Sequence, residues 1–215
     1  LNKWYELLNA GFRVVGLAGS DFPVSLIISY PRSRRLEGAW PRSIPLLGPE
    51  RSLVKAVSEE SAYQAWAAGV RQGAVVLTNG PLLEFSANGH SSGAVLEWSS
   101  QSYAVQGTAT AVSYRPIEKI EIVINGEVVA RKSGDEISTS ISLNYDALID
   151  ESSWIVARVK ASSNPQEPEI WAHTNPIYLL RDGQPVYVEV ARNAIRELWE
   201  KESSYYKSPL LVFKK

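Results

Sequence analysis

The chain has 215 residues, of which 45% are hydrophobic and 21% charged, so it is a globular protein and not a mainly disordered one. A formal net charge of -1 excludes a chain-wide electrostatic footprint for nucleic acid, and no apolar run approaches the roughly 20 residues of a membrane helix. The absence of cysteine excludes disulfides and thiolate metal sites.

The first predicted elements are a helix and a buried strand. Trp4, Leu7 and Leu8 share one helical face, and Gly11 is suited to the left-handed cap that ends a helix. The continuous apolar run at residues 12–18 then predicts a strand buried on both faces, as in parallel sheets. Asp21 follows this strand, at the position where α/β folds place metal-binding and catalytic side chains.

A long loop and a second helix follow. Residues 22–50 lack periodicity and contain five prolines, which predicts a loop. After a short strand at 51–57, Ser58 is the expected N-cap of a helix that ends near Gln72. Its expected inner face consists of Ala62, Trp66 and Val70. Residues 74–77 predict another apolar strand, closed by a turn that contains Asn79.

From Leu82 onward, alternating strands are separated by turn residues such as Asn125-Gly126, which is typical of an antiparallel immunoglobulin-like β-sandwich. A closing helix is predicted near 190–202, with an apolar stripe at Ala194, Ile195, Leu198 and Trp199. The fold class is therefore α+β. We expect three regions: the remnant of an α/β layer at 1–83, the sandwich at 84–189, and a C-terminal helix and tail at 190–215.

Six phrases of the sequence, in their order and spacing, resemble one family. They are residues 5–13, 18–23, 65–73, 78–83, 122–126 and 172–178. Together they resemble the C-terminal half of PHP-type metallohydrolases, the polymerase and histidinol phosphatase superfamily, in the branch that includes carbaryl-hydrolase-like proteins. The resemblance covers roughly residues 4 to 180.

The resemblance implies a barrel-like α/β domain whose strand ends gather His, Asp and Glu around divalent ions such as Zn, Mn or Fe. Such sites use a metal-bound hydroxide on phosphoesters, and in some branches on esters or carbamates, so a small anionic substrate is expected. Asp21 would match a metal ligand, although Pro23 stands where many relatives carry a histidine. The family's early histidine motifs have no counterpart. The chain is therefore expected to be the C-terminal region of a hydrolase and to be inactive alone.

Each candidate site residue also has an ordinary structural interpretation. His173 could contact a metal or substrate, or it could be a strand histidine hydrogen-bonded to nearby backbone. Three arginines in the long loop could clamp an anion, or form a solvated surface, and Asn79 could contact substrate or simply form its turn. Those arginines are Arg32, Arg34 and Arg35. The sandwich aromatics Trp98, Tyr103, Tyr114 and Trp154 could bind carbohydrate, although their alternation favours the core.

Two other classes of function fit the same sequence. The first is a non-catalytic β-sandwich module that binds a glycan or a protein, and the second is a structural domain that pairs subunits through an exposed apolar patch. A soluble chain is expected in either case, and a secreted or periplasmic location is open. No nucleic-acid or membrane partner is expected.

Overall fold

The structure is a computed structural model, and it describes residues 2–19, 50–56, 61–164 and 168–205, with side chains through 202. Within these ranges the helices are α1 (Asn2–Asn9), α2 (Ala62–Gln72) and α3 (Glu189–Tyr205). The strands are β1 (Arg51–Val54), β2 (Val75–Thr78), β3 (Leu82–Ala87), β4 (Val95–Trp98), β5 (Tyr103–Val112), β6 (Ile117–Ile124), β7 (Glu127–Ser133), β8 (Ser140–Ile149), β9 (Ser153–Ala161), β10 (Ile170–Thr174) and β11 (Ile177–Arg181).

The strands form two sheets. The larger has the order β1-β2-β10-β9-β11-β4, with β6 on the other side of β9 and β7 beyond it; the smaller has the order β3-β5-β8. All strand pairs in these sheets are antiparallel except β11 with β4. The strands β10 and β11 are interrupted at Asn175-Pro176, where proline has no N–H to donate to a ladder.

The main core lies between the two sheets. Alternate side chains of β5 and β8 point inward from the small sheet, and those of β6 and β9 point inward from the large one. Their buried members include Val105, Ala109, Ile141, Ile120, Ile122 and Ile155. The predicted α+β class with a β-sandwich is confirmed at this level. The large sheet also takes in β1 and β2, so the segment 51–78 is hydrogen-bonded to the sandwich strands.

Local turn chemistry determines two features of the sandwich. The predicted hairpin at Asn125-Gly126 joins β6 to β7, and both residues have the positive φ that its turn requires, 51° and 97°. The alternating residues 136–143 predict a strand, but β8 begins only at Ser140, so the first part of this prediction is wrong. The Asp135 carboxylate accepts hydrogen bonds from the backbone N–H groups of Ile137 and Ser138, and this turn replaces strand pairing.

The N-terminal layer departs from prediction more strongly. Residues 12–19 pair with no strand among the described residues, and Phe12 and Leu17 are 50% and 56% exposed. The strand at 74–77 is present as β2, but its pairing with β1 and β10 is antiparallel and not parallel. A continuous apolar run indicates that both faces of a strand are covered, but it does not indicate the direction of the neighbouring strands. β2 is covered on both faces although both of its neighbours are antiparallel to it.

Both ends of α2 are explained by caps. The N-cap is Ser61 and not Ser58: its hydroxyl accepts from the Gln64 N–H, and the Gln64 side chain accepts from the Ser61 N–H. The predicted stop at Gly73 is confirmed, with a left-handed φ of 75°. The predicted inner face is wrong, since Trp66 is exposed and Ala65 and Gly69 are buried. A Cβ at Gly69 would lie 2.6 Å from the Lys55 carbonyl oxygen, so only a small residue permits this approach.

The C-terminal helix is confirmed as α3, but its predicted apolar stripe is mostly exposed, with only Ile195 partly buried. The Val188 N–H donates to the Asn9 carbonyl at 2.9 Å, and Ala191 is buried, which places the start of α3 beside α1. Leu198 and Trp199 are exposed. Helical periodicity predicts an apolar face, but it does not show whether another element packs against that face. Across the described ranges, the helices are too short or too polar to cross a bilayer.

Candidate functional site

A row of polar side chains crosses the outer face of the large sheet. The strand registers place Glu121 of β6 opposite Arg131 of β7 and Arg158 of β9, and Arg158 opposite His173 of β10. Directly opposed residues have Cβ atoms about 5 Å apart, close enough for their side chains to interact. Tyr5 of α1 lies above the sheet and belongs to the same set. We call these five residues the polar row: Tyr5, Glu121, Arg131, Arg158 and His173.

Glu121 is the negative centre of the polar row and is only 2% exposed. Its Oε1 lies 2.6 Å from Arg131 Nε and 3.2 Å from Lys119 Nζ, and its Oε2 lies 2.7 Å from Arg158 Nε. Burial by itself would raise the pKa of this carboxyl, but hydrogen bonds and charge from Arg158 and Lys119 outweigh burial and hold the pKa below its usual range. Glu121 is therefore a carboxylate at neutral pH and a poor proton acceptor.

His173 is fully buried and has a partner for each ring nitrogen. Its Nδ1 lies 2.7 Å from the Thr174 carbonyl oxygen, which can only accept, so Nδ1 carries the proton. Its Nε2 then accepts from the Tyr5 hydroxyl at 2.6 Å. Burial, with a smaller effect of the Arg158 charge, lowers the pKa of His173 to about 4. This neutral imidazole has the geometry of a strand histidine that is hydrogen-bonded to nearby backbone, one of the two roles that the sequence allowed.

Tyr5 joins the helix to the sheet. Its ring lies 4.8 Å from the Trp154 ring and 5.7 Å from that of His173, between centroids. Burial raises the pKa of its hydroxyl, and the charge of Arg158 opposes only part of that rise. The hydroxyl thus stays protonated and is not an activated nucleophile. The polar row, as arranged, anchors α1 and offers no acid or base that titrates near neutral pH.

We expect Tyr5→Phe to lower the free energy of unfolding by about 1–3 kcal/mol, because it leaves the buried Nε2 of His173 without a donor. Urea unfolding at pH 7 measures this difference. Tyr63→Phe is the matched control, since the Tyr63 side chain is exposed on α2 and its hydroxyl has no hydrogen bond to a described residue. Equal stability of Tyr5→Phe and the unaltered chain would contradict the assigned hydrogen bond.

Asn79 holds the beginning of β10 with its side-chain amide. Its Oδ1 accepts from the Trp171 N–H at 2.8 Å, and its Nδ2 donates to the Glu169 carbonyl at 2.7 Å. Both polar atoms of this candidate substrate contact are therefore engaged with backbone. The sequence indicated that Asn79 could simply form its turn. It could not indicate that the side chain binds β10, because that strand lies about 90 residues later in the chain.

The remaining candidates of the predicted site lie outside the described residues: Asp21, Arg32, Arg34 and Arg35. Within residues 2–19, 50–56, 61–164 and 168–205, no three His, Asp or Glu side chains converge in a way that could hold a metal ion. The described part of the chain thus does not by itself fit the divalent metal that the family resemblance implies.

The sandwich aromatics are mostly core residues. Trp98 and Trp154 are buried and Tyr103 packs against the main core, while Tyr114 is exposed and follows β5. On the outer face of the small sheet, β5 and β8 are joined by hydrogen bonds between polar side chains. These are Thr108 with Asn144 and Thr110 with Ser142. That part of the outer surface is suited to solvent and presents no stacking platform for a sugar.

A cleft that the sequence did not reveal lies between the N-terminal layer and the sandwich. Its volume is about 240 Å³, and its lining includes Arg13, Arg71, Asn175 and Tyr178. Arg71 is in the last turn of α2, where a basic residue is expected on helix-dipole grounds alone. Arg13 alternates with apolar neighbours, and nothing in the spacing links the two arginines. No protein-family model and no curated protein matches this chain.

Proposed function

We propose that this chain is the C-terminal region of a PHP-type metal-dependent hydrolase of phosphoester or related ester bonds. In this proposal the region is inactive alone, Asp21 is one metal ligand, and the arginines at 32, 34 and 35 bind the anionic substrate. The ordered resemblance of six sequence phrases is the basis of the family assignment.

One structural observation supports this proposal more than any other. Phe12, Val14 and Leu17 are exposed on an extended segment without a strand partner in the described chain, although the run 12–18 has the composition of a buried strand. Tyr63 and Trp66 of α2 are also exposed, with their rings stacked at 6.3 Å. Exposed apolar side chains at this density mark surfaces that pack against further protein. A larger α/β domain is the partner that the proposal requires.

The described contacts also suggest what the sandwich contributes. The Gly16 N–H donates to Asn175 Oδ1 at 2.8 Å, and the Ala18 N–H donates to Ser52 Oγ at 2.9 Å. These bonds hold the segment that leads to Asp21 against the large sheet. In the proposal, the sandwich therefore positions the segment that precedes the candidate metal ligand in the chain.

We expect purified residues 1–215 to show no turnover of nitrophenyl phosphate with Zn²⁺, Mn²⁺ or Fe²⁺. Hydrolysis is expected when the same residues form part of a longer chain that carries the family's early histidine motifs, because those motifs supply most ligands. In that longer chain Asp21→Asn should abolish turnover, and Asp146→Asn, an exposed aspartate of β8, should leave it unchanged. A longer chain with no metal-dependent turnover would overturn the proposal, as would full activity of Asp21→Asn.

A further inference from the structure

We infer that the cleft between α2 and the sandwich binds a doubly charged phosphate-type oxyanion through Arg13, Arg71 and Tyr178. This inference concerns residues other than those of the proposed hydrolytic site and does not depend on that proposal. The guanidinium groups supply the charge, and the tyrosine hydroxyl supplies a further hydrogen bond.

The charge of the cleft is positive and uncompensated. No Asp or Glu lines it, and within the described residues no carboxylate pairs with Arg13 or Arg71. The Cζ of Arg13 lies 5.4 Å from the centroid of the Tyr178 ring, an arrangement that orients a guanidinium without using its N–H donors. Two arginines with free donors balance the charge of a phosphate dianion, and a guanidinium can donate two parallel hydrogen bonds to its oxygens.

Tyr178 provides a donor at the inner wall. It is almost fully buried, and its hydroxyl has no hydrogen-bond partner among the described residues. Burial raises the pKa of Tyr178 to about 12, with Arg13 opposing the rise, so the hydroxyl carries its proton at neutral pH. Although the side chain is mostly buried, its hydroxyl oxygen reaches solvent, so it can donate a hydrogen bond to an anion in the cleft.

Hydrogen bonds and close backbone contacts join the walls of the cleft. Asn175 donates from its Nδ2 to the carbonyl oxygens of Gly16 and Val75, both at 3.0 Å. Gly93 has a left-handed φ of 87°, and a Cβ there would lie 2.1 Å from the Gln72 carbonyl oxygen. The sandwich wall and the end of α2 are thus in backbone contact, which holds the backbone of Arg71 at the edge of the cleft. Such preorganisation favours binding.

The size of the cleft limits the ligand class. Pockets for drug-sized molecules are roughly 300–1,000 Å³. At about 240 Å³, this cleft suits inorganic phosphate or the head of a small phosphate monoester. A monocarboxylate would leave one guanidinium charge unbalanced, and we therefore favour the dianion.

The test is a titration of residues 1–215 with inorganic phosphate, methyl phosphate and acetate, followed by calorimetry and by amide chemical shifts. We expect saturable binding of both phosphates, with shifts at Gly73, Gly93 and Tyr178, and binding of acetate weaker by tenfold or more. The double variant Arg13→Gln/Arg71→Gln should weaken phosphate binding by about tenfold for each arginine. Preferential binding of methyl phosphate over inorganic phosphate would identify a monoester as the ligand, and equal binding would identify the free anion.

Arg192→Gln/Arg196→Gln is the matched control, because it removes the same charge from exposed positions of α3 that do not line the cleft. Tyr178→Phe should weaken binding while leaving the fold intact, which thermal unfolding checks. No saturable binding at millimolar phosphate would overturn the inference. Acetate binding as tight as phosphate, or equal losses in the cleft and control double variants, would do so as well.

Discussion

Trp154→Ala is expected to lower the free energy of unfolding by about 3–5 kcal/mol, the range for deleting a large aromatic side chain from a packed interior. Trp154 is fully buried in a second cluster with Leu8, Val123 and Leu180, on the outer face of the large sheet. Its indole Nε1 also donates to Asn9 Oδ1 at 2.7 Å, so the substitution removes both packing and the bond that holds α1. Urea unfolding at pH 7 measures the loss.

Two further variants separate these contributions. Trp154→Phe keeps most of the ring packing but leaves Asn9 Oδ1 without its donor, and should cost about 1–3 kcal/mol. Trp66→Ala removes the same side chain from an exposed position on α2 and should change stability by about 1 kcal/mol or less. Similar losses for Trp154→Ala and Trp66→Ala would be inconsistent with the cluster that we describe.

Acidification from pH 7 to pH 4 should destabilise the protein by about 3 kcal/mol through His173 alone. The pKa of His173 is about 4 in the folded chain, against 6.5 for an ordinary histidine. Between these two values the unfolded chain binds a proton that the folded chain does not, so the unfolded state gains stability as the pH falls. The contribution is absent above pH 6.5 and complete below pH 4.

The His173→Gln variant has no imidazole to titrate at this position. Between pH 7 and pH 4, its free energy of unfolding should therefore fall by about 3 kcal/mol less than that of the unaltered chain, whatever its stability at pH 7. His90→Gln is the matched control, because it removes a histidine that is exposed in the turn after β3 and lies outside the polar row. Glu121 also loses stabilising charge contacts as the pH falls through its lowered pKa, but it does so in all three proteins. An imidazole resonance of His173 that titrates near pH 6.5 would contradict the assigned burial.

Local interactions made much of the sandwich predictable. Asn125-Gly126 specifies its hairpin because the turn needs positive φ at two successive residues. The alternation at residues 103–112 predicts a strand, and β5 has these bounds. Gly73 ends α2 for a similar local reason. Each of these features is decided by neighbours within a few positions, and sequence patterns report such neighbours directly.

Contacts between distant residues were not predictable. The polar row exists because the registers of β7, β6, β9 and β10 place Arg131, Glu121, Arg158 and His173 side by side, and no spacing along the chain encodes those registers. The apolar run at 12–18 predicts a strand that is buried on both faces, but Phe12 and Leu17 are exposed in the structure.

The sequence by itself determined the α+β class, most of the sandwich strands and most helix ends, because turn residues and side-chain periodicity act over short distances. Only the tertiary structure decided that β2 pairs antiparallel with β10, that His173 is a neutral buried partner of Tyr5, and that Arg13 and Arg71 line one cleft. The physical reason is that burial, and the pKa shifts it causes, depend on which distant segments cover a side chain.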